Sequence, residues 1–376
     1  MRVLLTTYLL RGGVLTHVWD LVNHLGEAGI SVSVAILRKH PDTATARVIH
    51  RAKTLPSLIG PIEKVPFMYY QTPQELFDFC QRQQIQLIHS HSRLAFSSSL
   101  QVAIRKKIPL IVTLHGVFPW HRHYPSTLKY AKKIIAIGPA QTKGAEQYQD
   151  KISIIPNGID TKHFCSNISR SRQTSSALKV IWFGRTNGAS SKGITILDEA
   201  IKILRKRGVK VAAWLIGIPT GVTVEQFKVF GWCDNPVPIL QNGHIAFGHG
   251  RALREAMACG NVGFLLGHGY GGQVDKTWFK DDNIIPISAI PEYRLPKPNA
   301  EQIANDICRY AKNSALLYQE RLKARDIAVK HFDVRQMIAE VVNVYQGSAP
   351  YNSNNMRLNL GRSGPRTQWW IPNDKS

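Results

Sequence analysis

Short apolar runs alternate with segments of helical periodicity along most of the chain. The first repeat consists of a β-prone run at residues 3–8, the turn Gly12-Gly13 and apolar residues at helical spacing over 14–25. Thr72-Pro73-Gln74-Glu75 predicts a later helix start, because Thr and Glu can form a capping box there. Further strands are predicted at 30–37, 85–89, 110–114, 133–137 and 152–155. Strands that alternate with helices form parallel sheets covered on both faces, so the sequence predicts an α/β fold.

A polar segment at residues 165–177 interrupts this pattern. It is rich in Ser and Arg and almost free of apolar residues, which is typical of a linker. Beyond it the alternation of strands and helices resumes and ends in helical stretches. We therefore predict two Rossmann-like parallel-sheet domains, at 1–165 and 178–330, then a C-terminal helix at 331–346 and a polar basic tail at 347–376.

Length and composition exclude several protein classes. A chain of 376 residues is long for one domain, and no stretch approaches the ~18 consecutive apolar residues of a membrane-spanning helix. The five cysteines are scattered without a CxxC pair, which disfavours a disulfide framework and fits a reducing cytoplasm. The 48 Lys and Arg residues and 25 Asp and Glu residues give a net charge of +23, so we expect an anionic partner. A nucleic acid is a candidate on charge alone, since no nucleic-acid motif is recognised.

Two glycine-rich turns precede helices and could bind an anion. They are Gly12-Gly13 and Gly248-His249-Gly250. Backbone N–H groups and the positive end of the helix dipole favour a phosphate at such positions. Neither turn spells GxGxxG, so a nicotinamide cofactor is not predicted. The alternative is that these glycines only satisfy backbone geometry.

Two basic residues and one carboxylate suggest how a nucleotide could be held. Arg185 follows a predicted strand and Lys192 begins the next helix, so both can converge on one diphosphate. Glu255 is the only acidic residue between Asn235 and Val274, and a lone carboxylate near a helix start suits two ribose hydroxyls. The alternatives are two solvated cations and a Glu that complements the helix dipole.

Six short motifs occur in the order and spacing of one known family, over roughly residues 1–345. They are Arg11-Gly12-Gly13 with His17; His89-Ser90-His91; Thr113-Leu114-His115-Gly116; Pro156-Asn157-Gly158-Ile159-Asp160; Phe183-Gly184-Arg185 with Lys192-Gly193; and Glu255-Ala256-Met257-Ala258-Cys259-Gly260. In these motifs the chain resembles the retaining glycosyltransferases of the GT-B fold, in particular glycosyltransferase family 4. The resemblance implies two Rossmann-like domains that face each other across a cleft, with the acceptor on the first domain and the donor on the second.

The resemblance also implies roles for individual residues. Gly13 and His115 would lie at the reaction centre, Arg185 and Lys192 would hold the donor diphosphate, and Glu255 would bind its ribose. Transfer would retain the anomeric configuration, with no metal and no cofactor besides the nucleoside-diphosphate sugar. The full set of implied donor-binding residues is Gly12, Gly13, Arg185, Lys192, Gly250, Arg251 and Glu255.

One position departs from the family. A second Glu usually stands eight residues before the ribose Glu, and here that position is Phe247. The backbone amides around residues 248–251 are then the expected sugar contacts. The departure leaves open a degenerate subunit that binds an acceptor or partner without catalysis. A nucleotide-sugar 2-epimerase on the same fold also stays open, although it would need paired acid and base carboxylates, and the loops offer few.

Aromatic and basic residues alternate shortly after His115. Because aromatic rings and cations together suit an interface with anionic headgroups, we predict contact with an anionic acceptor, lipid-linked or cell-envelope, or with the inner face of the cell membrane. The alternative is a partly packed loop. The predicted contact residues are Trp120, Arg122, Tyr124, Lys132 and Lys133.

Two histidine pairs have the i, i+2 spacing of neighbouring ligands on a strand. They are His89/His91 and His121/His123. No third or fourth ligand is evident for either pair, so we predict no metal site.

Overall fold

The computed structural model describes residues 1–9, 12–38, 59–168, 177–279, 283–284, 286–348 and 368–369. Arg11 of the first motif and most of the predicted tail lie outside these residues. The chain divides into two compact units, one built from Met1–Gly158 with a returning segment that begins at Val334, and one built mainly from Ile159–Asp333. Each unit has its own sheet and its own hydrophobic cores.

The first unit contains a parallel sheet of seven strands in the order β3-β2-β1-β4-β5-β6-β7. Its central strands are buried along nearly their whole length, which is why they read as continuous apolar runs. The strands are β1 Arg2–Tyr8, β2 Ser31–Leu37, β3 Phe67–Tyr70, β4 Leu87–Ser90, β5 Leu110–Leu114, β6 Lys133–Ala136 and β7 Ile152–Ile154.

Helices cover both faces of this sheet. The predicted capping box is present, because the Thr72 hydroxyl accepts from the Glu75 N–H at 3.2 Å and the Glu75 carboxylate accepts from the Thr72 N–H at 3.1 Å. Among the described residues ahead of the second unit, the helices are α1 Gly13–His24, α2 Pro73–Arg82, α3 Phe96–Lys106, α4 Trp120–His123 and α5 Pro125–Tyr130.

The last helix, α11 Val334–Gln346, packs in the core of the first unit. The chain leaves this unit after Gly158 and returns to it at Val334. The backbones of these two residues lie in close contact. A Cβ at Gly158 would lie 2.5 Å from the Val334 Cα, so no larger residue fits there. The Gly158 N–H also donates to the sulfur of Met337 at 3.2 Å.

The second unit contains a sheet of six strands in the order β10-β9-β8-β11-β12-β13, parallel except for β13 at one edge. The strands are β8 Leu178–Phe183, β9 Val211–Ile216, β10 Phe227–Val229, β11 Ile245–Gly248, β12 Val262–Leu266 and β13 Tyr270–Gln273. The helices are α6 Lys192–Lys206, α7 Val237–Gln241, α8 Gly250–Ala258, α9 Ala300–Ala311 and α10 Ser314–Phe332. The two-residue strands Asn283–Ile284 and Gln368–Trp369 pair in parallel.

The predicted class, an α/β protein with two Rossmann-like sheets, is confirmed. Within the described ranges, no helix combines the length and the apolar composition that crossing a lipid bilayer requires.

Candidate active site

The glycine turn of the first unit leaves open space at the start of α1. Gly12 has φ 148°, a conformation that favours glycine, and both Gly12 and Gly13 are exposed. A Cβ at either glycine would meet no heavy atom within 4 Å. A ligand can therefore approach the backbone here as closely as the resemblance requires of a donor phosphate.

Three imidazoles meet at the carboxyl-terminal edge of the same sheet, and we call them the histidine cluster: His17, His91 and His115. His17 lies on α1, whereas His91 and His115 directly follow the adjacent strands β4 and β5. Their ring centroids are separated by 5.2 Å (His17 to His91), 5.0 Å (His17 to His115) and 5.7 Å (His91 to His115). The Nε2 atom of His115 lies 3.4 Å from Nδ1 of His91. Carboxyl ends of parallel strands share one edge, so the topology gathers residues far apart in sequence.

The cluster favours neutral imidazoles. Burial, and then the neighbouring rings, lower the pKa of His91 and of His115 well below the usual value. His17 is buried, and its Nδ1 lies 2.9 Å from the amide oxygen of Asn157. Uncharged rings at neutral pH can accept a proton, donate a hydrogen bond or ligate a metal ion.

His89 has a different role from its neighbour His91. Its Nδ1 lies 2.7 Å from the Tyr345 hydroxyl and its Nε2 lies 2.7 Å from the Thr113 hydroxyl. Both ring nitrogens are therefore bonded within the core, and the residue is fully buried. His89 is a structural histidine and does not share a ligand with His91.

In the second unit, β8 and β11 end side by side at two glycines. A Cβ at Gly248 would lie 2.1 Å from the Phe183 carbonyl oxygen, and one at Gly184 would lie 3.9 Å from the Gly248 Cα. This close approach brings the next residues, Arg185 and His249, together. Burial, and then the charge of Arg185, lower the pKa of His249 to about 4.

Arg185 and Lys192 both reach solvent at this end of the sheet. Arg185 follows β8, and Lys192 is the first residue of α6. Gly193 holds the start of α6 against the sheet, since a Cβ there would lie 3.0 Å from the Gly267 carbonyl oxygen and from Trp182. Two exposed cations are thus attached to rigid elements that converge on one edge.

Helix α8 begins at the same edge, and several of its groups already have partners. Gly250 has φ 64°, and its N–H donates to the Ile287 carbonyl at 2.7 Å. Arg251 Nε donates to Glu255 Oε1 at 2.6 Å, and both side chains are largely buried. If Glu255 bound a ribose, the Glu255 carboxylate would contact both the ribose hydroxyls and Arg251.

Phe247 occupies the core and not the ligand side of β11. It is fully buried and stacks on Phe264 with centroids 5.0 Å apart and planes at 18°. The second carboxylate of the family pattern is therefore replaced by a ring that stabilises the sheet.

Comparisons with known proteins agree with this architecture. The pattern of Glycosyltransferase Family 4 matches residues 11–163. The match lies almost entirely within the first unit, so this part of the chain is similar to glycosyltransferase family 4. The two sheets correspond to the GT-B fold.

Solved structures of similar fold span nearly the whole chain. A glycosyltransferase from Rickettsia africae has a TM-score of 0.67 and 14% identity, covering 92% of this chain and 97% of that one. HepE from Anabaena, in complex with UDP and glucose, has a TM-score of 0.63 and 15% identity, covering 92% and 99%. A UDP-GlcNAc 2-epimerase from Neisseria meningitidis, bound to UDP-GlcNAc, has a TM-score of 0.53 and 12% identity, covering 92% and 100%. No curated protein matches the sequence.

Among the predicted acceptor contacts, Trp120 requires correction. It is only 4% exposed and packs against Phe96 and Phe118, because burying the indole ring gains more than presenting it to solvent. Trp120 is a core residue of the first unit. Arg122 and Lys132 are exposed, and Tyr124 and Lys133 are half-buried.

The structure adds a surface feature that sequence reasoning missed. Beside Lys132 lies a depression of about 460 Å³, which we call the Tyr130 depression. Ile104 and Tyr130 are 51% and 39% exposed there. The signal in the sequence was weak, because the lining comes from two helices and the turns after them. It is formed by Ile104, Lys107, Ile108, Pro109, Tyr130 and Lys132.

Proposed function

We propose that this protein is a family 4 glycosyltransferase that moves a sugar from a nucleoside-diphosphate sugar to an acceptor, with retention of the anomeric configuration and without a metal. The observation that carries the proposal is the convergence of Arg185, Lys192 and the start of α8 at one sheet edge of the second unit. We assign the donor to this edge and the acceptor to the first unit.

The cations would act mainly on the leaving group. As the glycosidic bond to the diphosphate breaks, negative charge grows on the phosphate oxygens, and fixed cations stabilise it more in the transition state than in the ground state. Arg185 can bind two phosphate oxygens with its planar guanidinium, whereas Lys192 acts as a point charge. His249, neutral at pH 7, would add a polar contact without further charge.

His115 and the Gly12-Gly13 turn would act at the reacting carbon. The open backbone at the turn leaves room for a phosphate oxygen at the start of α1. A neutral His115 can hydrogen-bond a sugar hydroxyl close to the anomeric carbon. The proposed attack of the acceptor on the face that the diphosphate leaves needs no protein nucleophile.

Uridine nucleotides are the first donors to test, because HepE of similar fold was solved with UDP-glucose. We would incubate the purified chain with UDP-, GDP- and ADP-sugars and measure nucleotide release. Slow hydrolysis of one donor, lost in Arg185→Ala and kept in Lys206→Ala, would support the proposal. Lys206 is a matched control because it is an exposed cation at the opposite end of α6.

Two other outcomes would redirect the assignment. Tight nucleotide-sugar binding without turnover of any donor would indicate a degenerate subunit, the alternative that Phe247 favours. Conversion of a UDP-sugar to its 2-epimer without nucleotide release would indicate an epimerase.

We further propose that the first unit contacts an anionic membrane surface through the Tyr130 depression. Exposed apolar groups, Ile104 and Tyr130, are flanked by the cations Lys107 and Lys132. Apolar side chains can enter the headgroup region while lysines pair with anionic lipids, each cation adding about 1 kcal/mol, or about fivefold in affinity. A lipid-linked or cell-envelope acceptor would be reached from this position.

Co-sedimentation with vesicles tests this contact. We expect salt-sensitive binding to phosphatidylglycerol vesicles and little binding to phosphatidylcholine, weakened by Ile104→Ser and by Lys132→Ala. Ile218→Ser and Lys228→Ala are matched controls, since both residues are exposed on the second unit. Stronger binding to DNA than to vesicles would point to a nucleic acid instead, and no binding to either would point to a soluble acceptor.

A further inference from the structure

We propose that the histidine cluster is a binding site for one divalent transition-metal ion of the Zn²⁺ class. One ring nitrogen from each of His17, His91 and His115 lies within 4.8 Å of the other two. Three imidazoles with a fourth position left to water form a common zinc arrangement. Small rotations of the rings would bring these nitrogens to the bonding distance of about 2.0–2.1 Å from a shared ion.

Within the described ranges, two ring nitrogens of the cluster have no hydrogen-bond partner, and an ion would take the place of the contact between Nε2 of His115 and Nδ1 of His91. Nε2 of His91 and Nδ1 of His115 are buried, and neither has a hydrogen-bond partner among the described residues. The amide oxygen of Asn157 accepts from Nδ1 of His17, which leaves the lone pair on Nε2. A ligand histidine whose other nitrogen donates to an oxygen is the usual second-shell pattern of metal sites.

The composition of the cluster determines which ions fit. The three ligands are imidazole nitrogens, and among the described residues the cluster includes no carboxylate. Mg²⁺ and Ca²⁺ require oxygen ligands, so they should not compete. Zn²⁺, Co²⁺, Ni²⁺ and Cu²⁺ prefer imidazole and should bind. The predicted selectivity is the opposite of that of a glycosyltransferase that holds Mg²⁺ or Mn²⁺ on carboxylates.

Access to the site is through His115. His17 and His91 are each 1% exposed, whereas His115 is half-buried and forms the outer member of the trio. An ion that enters would take the lone pair of His115 and so remove it from sugar transfer. This last consequence rests on the proposed function, whereas metal binding itself does not.

The test uses the full chain without an affinity tag, stripped with EDTA and desalted. Co²⁺ titration followed by visible absorption reports the coordination geometry, and Zn²⁺ calorimetry gives the stoichiometry. We expect one Zn²⁺ per chain, displacement of Co²⁺ by Zn²⁺, and no effect of Mg²⁺ in excess. His115→Ala should weaken Zn²⁺ binding at least tenfold, and Asn157→Ala should weaken it by about 10–100-fold through the orientation of His17.

His121→Ala is the matched control, since His121 is an exposed histidine outside the cluster. It should bind Zn²⁺ like the parent chain. His91→Ala removes one of the two fully buried ligands, and circular dichroism would show whether the variant folds. His115→Ala, at the outer position, keeps the test valid if it does not. Equal Zn²⁺ binding by the parent and His115→Ala, or no binding by the parent at micromolar Zn²⁺, would overturn the proposal. Neither result depends on transferase activity.

Discussion

The Tyr345 hydroxyl lies 2.7 Å from Nδ1 of His89, 256 residues earlier in the chain. The same imidazole is held at Nε2 by Thr113 of β5, so the ring joins the last helix to two central strands. His91 lies two residues further along the chain, at the histidine cluster. The packing of α11 thus reaches the edge of the sheet where the proposed chemistry takes place.

Tyr345→Phe should destabilise the first unit by about 1–3 kcal/mol. The phenyl ring still fills the space of the Tyr345 ring, but Nδ1 of His89 loses its hydrogen-bond partner. A buried nitrogen without a partner destabilises the folded state, because it has lost its hydration without a replacement. Urea unfolding followed by circular dichroism measures the change. Tyr130→Phe, which removes a partly exposed bond to the Ala103 carbonyl, should cost much less. If both variants lost the same free energy of unfolding, the buried bond between Tyr345 and His89 would stabilise the protein no more than the partly exposed bond of Tyr130.

Arg185→Ala and Lys192→Ala should each weaken nucleoside-diphosphate binding by about 1.5–3 kcal/mol, or roughly 10- to 150-fold. Both side chains are exposed, so their loss removes a charge-assisted bond without disturbing the core. Calorimetry with UDP gives the affinities, and Lys206→Ala should bind like the parent. If both variants bound UDP as tightly as the parent, the assignment of the donor diphosphate to this sheet edge would be wrong.

Glu255→Gln should weaken binding of UDP more than binding of its 2′,3′-dideoxy analogue. The carboxylate can accept from two ribose hydroxyls, each bond to a charged group being worth about 1.5–3 kcal/mol, whereas the dideoxy analogue offers none. Because Glu255 also pairs with Arg251 at 2.6 Å, a purely structural role predicts equal losses for both ligands. The ratio of the two affinities therefore separates the two roles.

Stability of the second unit should fall as the pH drops from 7 to 5, with His244 as one cause. Burial, and then the charges of Arg321 and Lys179, lower its folded pKa to about 4 from 6.5. Its Nδ1 accepts the Lys179 N–H at 3.1 Å, an interaction that only the neutral ring can make on that nitrogen. The folded state binds fewer protons than the unfolded state, so stability is present above pH 6.5 and is lost below it, by about 2 kcal/mol between pH 7 and 5.

His244→Asn keeps an acceptor near Nδ1 and cannot titrate. Chemical denaturation of both proteins at pH 7 and pH 5 should show a smaller loss in the variant by roughly 2 kcal/mol. An identical loss in both would assign the acid sensitivity to other groups.

Chelation should not lower sugar transfer, and added Zn²⁺ should lower it. The proposed mechanism stabilises the leaving diphosphate with Arg185 and Lys192, whereas Zn²⁺ at the histidine cluster would occupy His115. Nucleotide release measured with EDTA, with Mg²⁺ and with micromolar Zn²⁺ distinguishes these effects. Loss of turnover in EDTA that Mg²⁺ restores would contradict the metal-independent mechanism.

Local signals in the sequence predicted much of the architecture. The capping box at Thr72 and the alternation of apolar runs depend on residues close in sequence, and both appear in the structure as predicted. Gly248 was recognised as part of a turn, but its close contact with Phe183 depends on strand pairing and could not be predicted from spacing.

Features that depend on distant residues were missed. The i, i+2 spacing pairs His91 only with His89, two residues before it. Its companions in the cluster are instead His17, 74 residues before it, and His115, 24 residues after it. Trp120 was predicted at the surface because basic residues follow it, yet Phe96 and Phe118 enclose it. A charge pattern identifies exposed neighbours and does not reveal which aromatic ring is turned inward.

The return of α11 to the first unit affects how the protein can be synthesised. A nascent chain that has emerged as far as Gly158 carries all seven strands of the first sheet but lacks the helix that covers Val18 and Leu21. The ribosome must translate the intervening Ile159–Asp333 first, which takes roughly 9–35 s at about 5–20 residues per second. During that interval the apolar face that includes Val18 and Leu21 lacks its covering helix. A chaperone bound to the ribosome could bind this face until α11 is synthesised.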